Sequence, residues 1–309
     1  MRASMQIIPK ILRLVVTVGL AISAIASSGA GQVRTTFPSV AEQYDVLPNQ
    51  IYRTEKGWEG KLDLYLPVAG EKNRLVMFIH GGGWTQSSKE IEALYVLAYL
   101  QQGWAVANVE YRLAKVAPAP AAVLDCRCAF EWISANSAKF RIDPKKIVTA
   151  GISAGGHLAL SVATVEPIDG RAECYKSSAK PAAVINLFGP ADIPELLSEP
   201  KPFPQAVEWF SGVKGRDYVA ESISPISRLS SSTPPVITVH GVEDEIIPYT
   251  QSVRLHQQLT KLGVRNRLIS LKSRGHGGFT SAEWEASYRQ IFSFVDQVTN
   301  GREGGTRTR

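Results

Sequence analysis

Ser153 stands at the centre of Gly151-Ile152-Ser153-Ala154-Gly155. An apolar, β-branched run (Ile147 to Ala150) precedes it, and small and aliphatic residues without proline follow from Ala154 to Thr164. A serine on a tight strand-to-helix turn needs small neighbours, because the strained backbone leaves no room for bulky ones. Gly151 and Gly155 meet that need, and Gly156 extends the clearance. The helix that follows aims unpaired N–H groups and its positive end at the same oxygen. The chemistry this arrangement suits is nucleophilic attack by the serine hydroxyl. A second glycine-rich turn, His80-Gly81-Gly82-Gly83-Trp84, comes directly after the apolar run Leu75 to Ile79. Such a turn can point backbone N–H groups into a cleft without side-chain obstruction, which is what stabilising an oxyanion demands. Gly82 and Gly83 are the candidate donors, with the N–H of Ala154 as their complement. A phosphate-binding reading is disfavoured, since no Gly-Lys-Ser/Thr follows and the spacing is not Gly-x-Gly-x-x-Gly.

Serine alone is a poor nucleophile, so a neutral imidazole must take its proton and a carboxylate must fix that imidazole's tautomer. The chain has five histidines. His80 belongs to the glycine turn and reads as a hydrogen-bonder that shapes it. His157, four residues beyond Ser153 on the same helix, should not reach the serine oxygen. His240 ends a strand and reads as buried and structural, and His256 as a solvent-facing helical residue. His276 alone sits in a glycine-flanked loop, Gly275-His276-Gly277, after the last predicted strand, and is the expected base. For the acid, Asp244 follows the strand-like Val236 to Val239 and is bracketed by Glu243 and Glu245, which read as loop-edge residues. Asp192, after Gly189-Pro190-Ala191, is the rival acid, and its plainer reading is a helix N-cap.

These motifs together resemble the α/β-hydrolase superfamily, whose triad order is serine, acid, histidine. Within it the chain is most similar to bacterial hormone-sensitive-lipase-like and feruloyl- or acetyl-esterase-like carboxylesterases. The resemblance runs from about Leu62 to Val298 and also takes in Tyr111-Arg112-Leu113, Phe140 to Pro144 and Phe188-Gly189-Pro190-Ala191-Asp192. Hormone-sensitive-lipase relatives usually carry Asp before the nucleophile, where this chain has Ile152, so the esterase-like branch is the better match. The resemblance implies an α/β-hydrolase fold: a mostly parallel twisted sheet, helices on both faces and a small lid insertion. It implies hydrolysis of short-chain carboxylic esters, free or linked to plant polysaccharide, by Ser153, Asp244 and His276 without cofactor or metal. It also implies a pocket that includes Trp84 and Tyr111. Amide hydrolysis on the same triad, or a non-catalytic binding role on the same fold, are the alternatives.

The elements that must position these residues follow the same plan. Apolar runs alternate with helix-like stretches, as a parallel sheet covered on both faces requires. Helices are expected over roughly Ala119 to Phe140, Gln251 to Leu262 and Ala282 to Val298. The catalytic domain is expected over residues 40–300. Its Pro- and Ser-rich segment 189–235 is too long for a simple connection. There Phe203, Trp209, Phe210 and Tyr218 either line a pocket or form the insertion's own core.

The 309 residues, 44% of them hydrophobic, suffice for one such domain. Three basic residues precede an uncharged apolar run from Leu14 to Ala26, with small residues after it. This is the layout of a signal peptide over residues 1–26, with cleavage as late as 30, and it implies a secreted or periplasmic protein. The apolar run is short for a membrane span. Cleavage after Ala26 lowers the formal charge from +6 to +3, too small a surplus to argue for nucleic-acid binding. Residues 301–309 read as a disordered tail. In an oxidising compartment Cys174 can pair with Cys126 or Cys128, or all three remain thiols.

Overall fold

A computed structural model describes residues 42–166, 174, 177, 179–198 and 200–300; the expected signal peptide and C-terminal tail lie outside them. Among these residues eight strands form one sheet: β1 (Tyr44–Glu55), β2 (Trp58–Pro67), β3 (Asn73–Ile79), β4 (Ala105–Val109), β5 (Ile142–Ile152), β6 (Val184–Leu187), β7 (Val236–Gly241) and β8 (Asn266–Leu271). Their order is β1-β2-β4-β3-β5-β6-β7-β8. β1 and β2 are joined by the two-residue turn Lys56-Gly57, both residues at positive φ, which matches the twist of an antiparallel hairpin. β2 also meets β4 antiparallel, and from β4 to β8 every pairing is parallel.

The inner strands are near-continuous apolar runs because both faces are covered: β4 and β6, each interrupted by one buried asparagine (Asn108 and Asn186), are buried at every position, and β3 from Leu75 onwards. Among the described residues eight α-helical segments accompany them: α1 (Leu97–Leu100), α2 (Ala121–Ala135), α3 (Ala154–Thr164), α4 (Ile193–Leu196), α5 (Pro204–Trp209), α6 (Arg216–Ser222), α7 (Tyr249–Lys261) and α8 (Ser281–Asn300). All eleven residues of α3 are buried, so the helix carrying the serine turn is itself part of the core. α2 is shorter than its pattern suggests: it stops at Asn136, and Ser137 to Arg141 turn the chain into β5.

The 189–235 segment folds into α4, α5 and α6 plus a 3₁₀ turn at Pro225–Arg228. Two of its four aromatics are core: Trp209 and Phe210 are buried, whereas Phe203 is half-buried and Tyr218 is 63% exposed. Trp209 stacks on Trp84 with ring centroids 4.6 Å apart and planes within 7°. That contact pins the insertion to the glycine turn after β3. Cys128 and Cys174 form a disulfide, tying α2 to the chain beyond α3, and Cys126 is a buried thiol.

The first loop after each of β3, β5, β7 and β8 carries one of the chemically informative residues. In a parallel sheet this puts them all at one edge, beyond the carboxyl ends of the strands. Ser153 and the His80–Gly83 turn come from adjacent strands, β5 and β3.

Candidate active site

Ser153 holds φ 53° and ψ −121°, a conformation that L-residues adopt only under constraint and that costs about 1–3 kcal/mol. The constraint comes from both sides. Ser153 N–H donates to Leu187 O on β6 at 2.9 Å, and its carbonyl accepts from the N–H groups of Gly156 and His157. A Cβ on Gly151 would overlap the carbonyl of Gly155, and one on Gly155 would overlap the carbonyls of Ile79 and His80. The two flanking glycines are therefore required by backbone contact, and the turn presents the serine side chain above the sheet edge.

His276 Nε2 lies 2.8 Å from Ser153 Oγ, and its Nδ1 lies 2.7 Å from Asp244 Oδ2. A carboxylate only accepts, so the proton sits on Nδ1, which leaves Nε2 free to accept the serine proton. Asp244 Oδ1 takes the backbone N–H groups of Ile246 and Ile247, both at 2.9 Å. Its Oδ2 is shared with His240 Nε2 at 3.1 Å. Burial pushes the Asp244 carboxyl up. Hydrogen bonds from His240 and His276, the charge of His276 and the Ile247 N–H outweigh it and hold the carboxyl well below the usual carboxylate range. Asp244 is thus a fixed negative charge under the imidazole. Phe188 meets the His276 ring edge to face at 4.8 Å, limiting its rotation.

The glycine turn assigns its N–H groups unequally. Gly81 N–H is taken by Glu92 Oε2 at 2.8 Å. Gly82 and Gly83 donate no backbone hydrogen bond among the described residues. Ala154, first residue of α3, has an N–H that no intrahelical carbonyl can reach. These are the three expected oxyanion donors. Gly82 has φ 92°, and a Cβ there would overlap the carbonyl of Gln86. Burial pushes the Glu92 carboxyl up, and the bonds from Gly81 N–H and the Ser87 hydroxyl offset this only in part. Sequence patterning gives no hint of Glu92, because it lies eleven residues beyond the glycine it holds. Gln205 of α5 is a second unanticipated neighbour: its Cβ lies 2.8 Å from where a Cβ on Gly83 would be.

Three expectations are corrected. Trp84 and Tyr111 do not line a pocket: they are 0% and 1% exposed. Trp84, at φ 62°, turns its ring inward between Trp209 and His157, and the Tyr111 hydroxyl donates to Gly81 O at 2.9 Å while its ring stacks on His80. Both support the glycine turn from below. His256 is not solvent-facing: it is buried, with its two ring nitrogens 2.8 Å from Thr238 Oγ1 and Asn266 Oδ1.

The other residues keep the roles their positions suggest. His80 Nδ1 donates to Gly81 O, and His157 Nε2 to Ile223 O. Burial lowers both histidines to about 4, so both are neutral at ordinary pH. Asp192 caps α4 by accepting from Glu195 N–H at 3.2 Å.

A family model described as BD-FAE matches residues 62–259, which include Gly82, Ser153 and Asp244. The chain belongs to the BD-FAE family. Among curated relatives, esterase LipC of Mycobacterium tuberculosis is 31% identical over 239 residues, covering 74% of this chain and 59% of LipC. Esterase LipQ of the same organism is 25% identical, over 87% of this chain and 66% of LipQ. The chain therefore spans about three fifths to two thirds of the length of these two relatives. Two solved structures share the fold. A truncated carbohydrate esterase from gut microbiota matches at a TM-score of 0.70 and 24% identity, over 84% of this chain and 98% of that one. A thermophilic esterase from Thermogutta terrifontis matches at 0.70 and 21%, over 83% and 92%. The expected α/β-hydrolase fold is the observed one.

Proposed function

We propose that this BD-FAE chain is an exported serine carboxylesterase that cleaves short-chain esters through an acyl-enzyme. The observation that carries the reading is the unbroken row Ser153 Oγ, His276 Nε2, His276 Nδ1, Asp244 Oδ2, at 2.8 and 2.7 Å. In the first half-reaction His276 takes the serine proton as Oγ attacks the ester carbonyl. Charge building on that oxygen is met by the N–H groups of Gly82, Gly83 and Ala154. His276 then protonates the alcohol as its bond to the acyl carbon breaks; in the second half it deprotonates water for attack on the acyl-serine, and it returns that proton to Oγ as the acyl–Oγ bond breaks and the acid leaves. Asp244 stays ionised throughout and stabilises the imidazolium. LipC and LipQ are both esterases by name, in agreement with this chemistry.

Export is supported by the charged-then-apolar N-terminus and by the Cys128–Cys174 disulfide, a bond that persists in oxidising compartments. No helix among the described residues is long and apolar enough to cross a membrane. The substrates in view are small acyl esters, including acetyl or feruloyl groups on plant polysaccharide. The kinship in fold with a gut carbohydrate esterase suits that range, and the Thermogutta esterase has been captured with propionate and with butyrate.

Acyl length is set by how much apolar wall the insertion can offer. Trp209 and Phe210 are spent in the core, and Tyr218 is largely exposed. A long groove would reward every added methylene by about 0.8 kcal/mol of transition-state binding, whereas a short pocket stops doing so after a few carbons. With chromogenic esters from acetyl to palmitoyl, kcat/KM is expected to peak between acetyl and butyryl and to fall by octanoyl. Acetylated and feruloylated xylan complete the panel. A profile still climbing at palmitoyl would mean a lipase groove and would overturn the short-chain reading.

A further inference from the structure

The hydrogen-bonded row does not end at Asp244. His240, at the end of β7, is fully buried, and its Nε2 lies 3.1 Å from both Asp244 Oδ2 and the carbonyl oxygen of Ile247. Both of those atoms only accept, so Nε2 carries the proton. On the far side of the ring, Nδ1 is 2.7 Å from the hydroxyl of Ser252 on α7, which is also buried. The Ser252 hydroxyl therefore holds the ring from the side opposite Asp244. The ring is boxed edge to face by Tyr249 at 5.7 Å. A single chain of hydrogen bonds thus runs Ser252, His240, Asp244, His276, Ser153.

Within that chain Asp244 Oδ2 receives two imidazole donors, His276, which also meets Ser153, and His240, which does not. The Oδ1 bonds to Ile246 and Ile247 hold one oxygen of the carboxylate, and among the described residues Oδ2 is held by the two imidazoles. His240 is thus the restraint on Oδ2 that does not depend on His276. We infer that His240, oriented by Ser252, is a positioning residue of the proposed esterase: it holds Asp244 Oδ2 in the plane of the His276 ring, so that Nε2 points at Ser153. The inference rests on the ester-hydrolysis reading, and it assigns His240 no contact with substrate.

The test uses three variants of the full chain. Leucine at His240 approximates the volume without a donor, glutamine can return an N–H to Oδ2, and S252A removes only the hydroxyl that orients the ring. H240L is expected to lose about 10–100-fold in kcat, the value of one hydrogen bond to a charged group, with KM within twofold of wild type. H240Q should recover most of that loss, and S252A should lose severalfold in kcat with KM unchanged. If H240L does not fold, S252A decides.

The low-field proton resonance of the His276–Asp244 hydrogen bond reports on the same positioning without any substrate. It is expected to persist in H240Q and to broaden away in H240L, or in S252A if H240L does not fold. Wild-type kcat in H240L, a loss that glutamine fails to restore, or a low-field resonance unchanged in H240L would each overturn the inference. An inert wild type that still shows the expected change in resonance would instead count against ester hydrolysis and leave the positioning role standing.

Discussion

Replacing Ser153 by alanine is expected to lower kcat by about 10⁶-fold, the scale on which serine hydrolases lose rate with their nucleophile. The loss should appear in kcat, with KM little changed. The hydroxyl contributes to bond making, whereas the N–H groups of Gly82, Gly83 and Ala154 remain in place. Folding should be spared, because the side chain contributes one hydrogen bond, to His276. Alanine keeps the same Cβ on the same constrained backbone at φ 53°, so it neither adds strain nor relieves it. Circular dichroism and thermal melting beside the kinetics check this: catalysis should vanish while the melting temperature stays within a few degrees. Residual turnover of a tenth or more would assign the nucleophile elsewhere.

Asp244→Asn is the second large effect, expected at about 10⁴-fold in kcat, as when a triad carboxylate is made an amide. The hydrogen-bond directions explain why so small a change costs so much. Asp244 Oδ1 accepts from Ile246 and Ile247, and Oδ2 accepts from His276 and His240. All four partners are donors. An asparagine must set its NH₂ against two of them, and the two backbone N–H groups cannot reverse. The NH₂ therefore faces the imidazoles, and His276 must move its proton to Nε2, where it can no longer accept from Ser153. Asp192→Asn makes the contrast. There the carboxylate caps a short helix, a position asparagine fills equally well, and activity should stay within a factor of two. Steady-state kinetics of both variants on one ester decides between the two acids, and the reverse ranking would move the acid to Asp192.

The parts of this site that could be read in the sequence are those in which chemistry and backbone constraint coincide locally. The Gly151–Gly155 turn is legible because its glycines, its strand and its helix all lie within a few residues of Ser153. The position of His276 is legible because a glycine-flanked loop after the last strand leaves an imidazole little else to do. Trp84 misleads for the opposite reason. Its place beside the glycine turn suggests a pocket wall, but at φ 62° the backbone swings the ring into the core against Trp209, more than a hundred residues away in sequence. His256 follows an amphipathic helical pattern, yet its ring is bonded to Thr238 and Asn266 on neighbouring strands. The choice of Cys128 over Cys126 as partner of Cys174 likewise depends on which face of α2 meets the chain beyond α3. Glu92 and Gln205 reach the glycine turn from separate segments, and no local motif announces either.

Ser153 is the residue expected to become acylated, and covalent trapping tests this most directly. The intact chain is treated with a fluorophosphonate ester, digested and mapped by tandem mass spectrometry while loss of esterase activity is followed in parallel. One adduct per chain is expected, located on Ser153, forming at the same rate as activity disappears and absent from Ser153→Ala. Inactivation with the adduct on any other residue, or full activity retained by a chain stoichiometrically modified at Ser153, would contradict it.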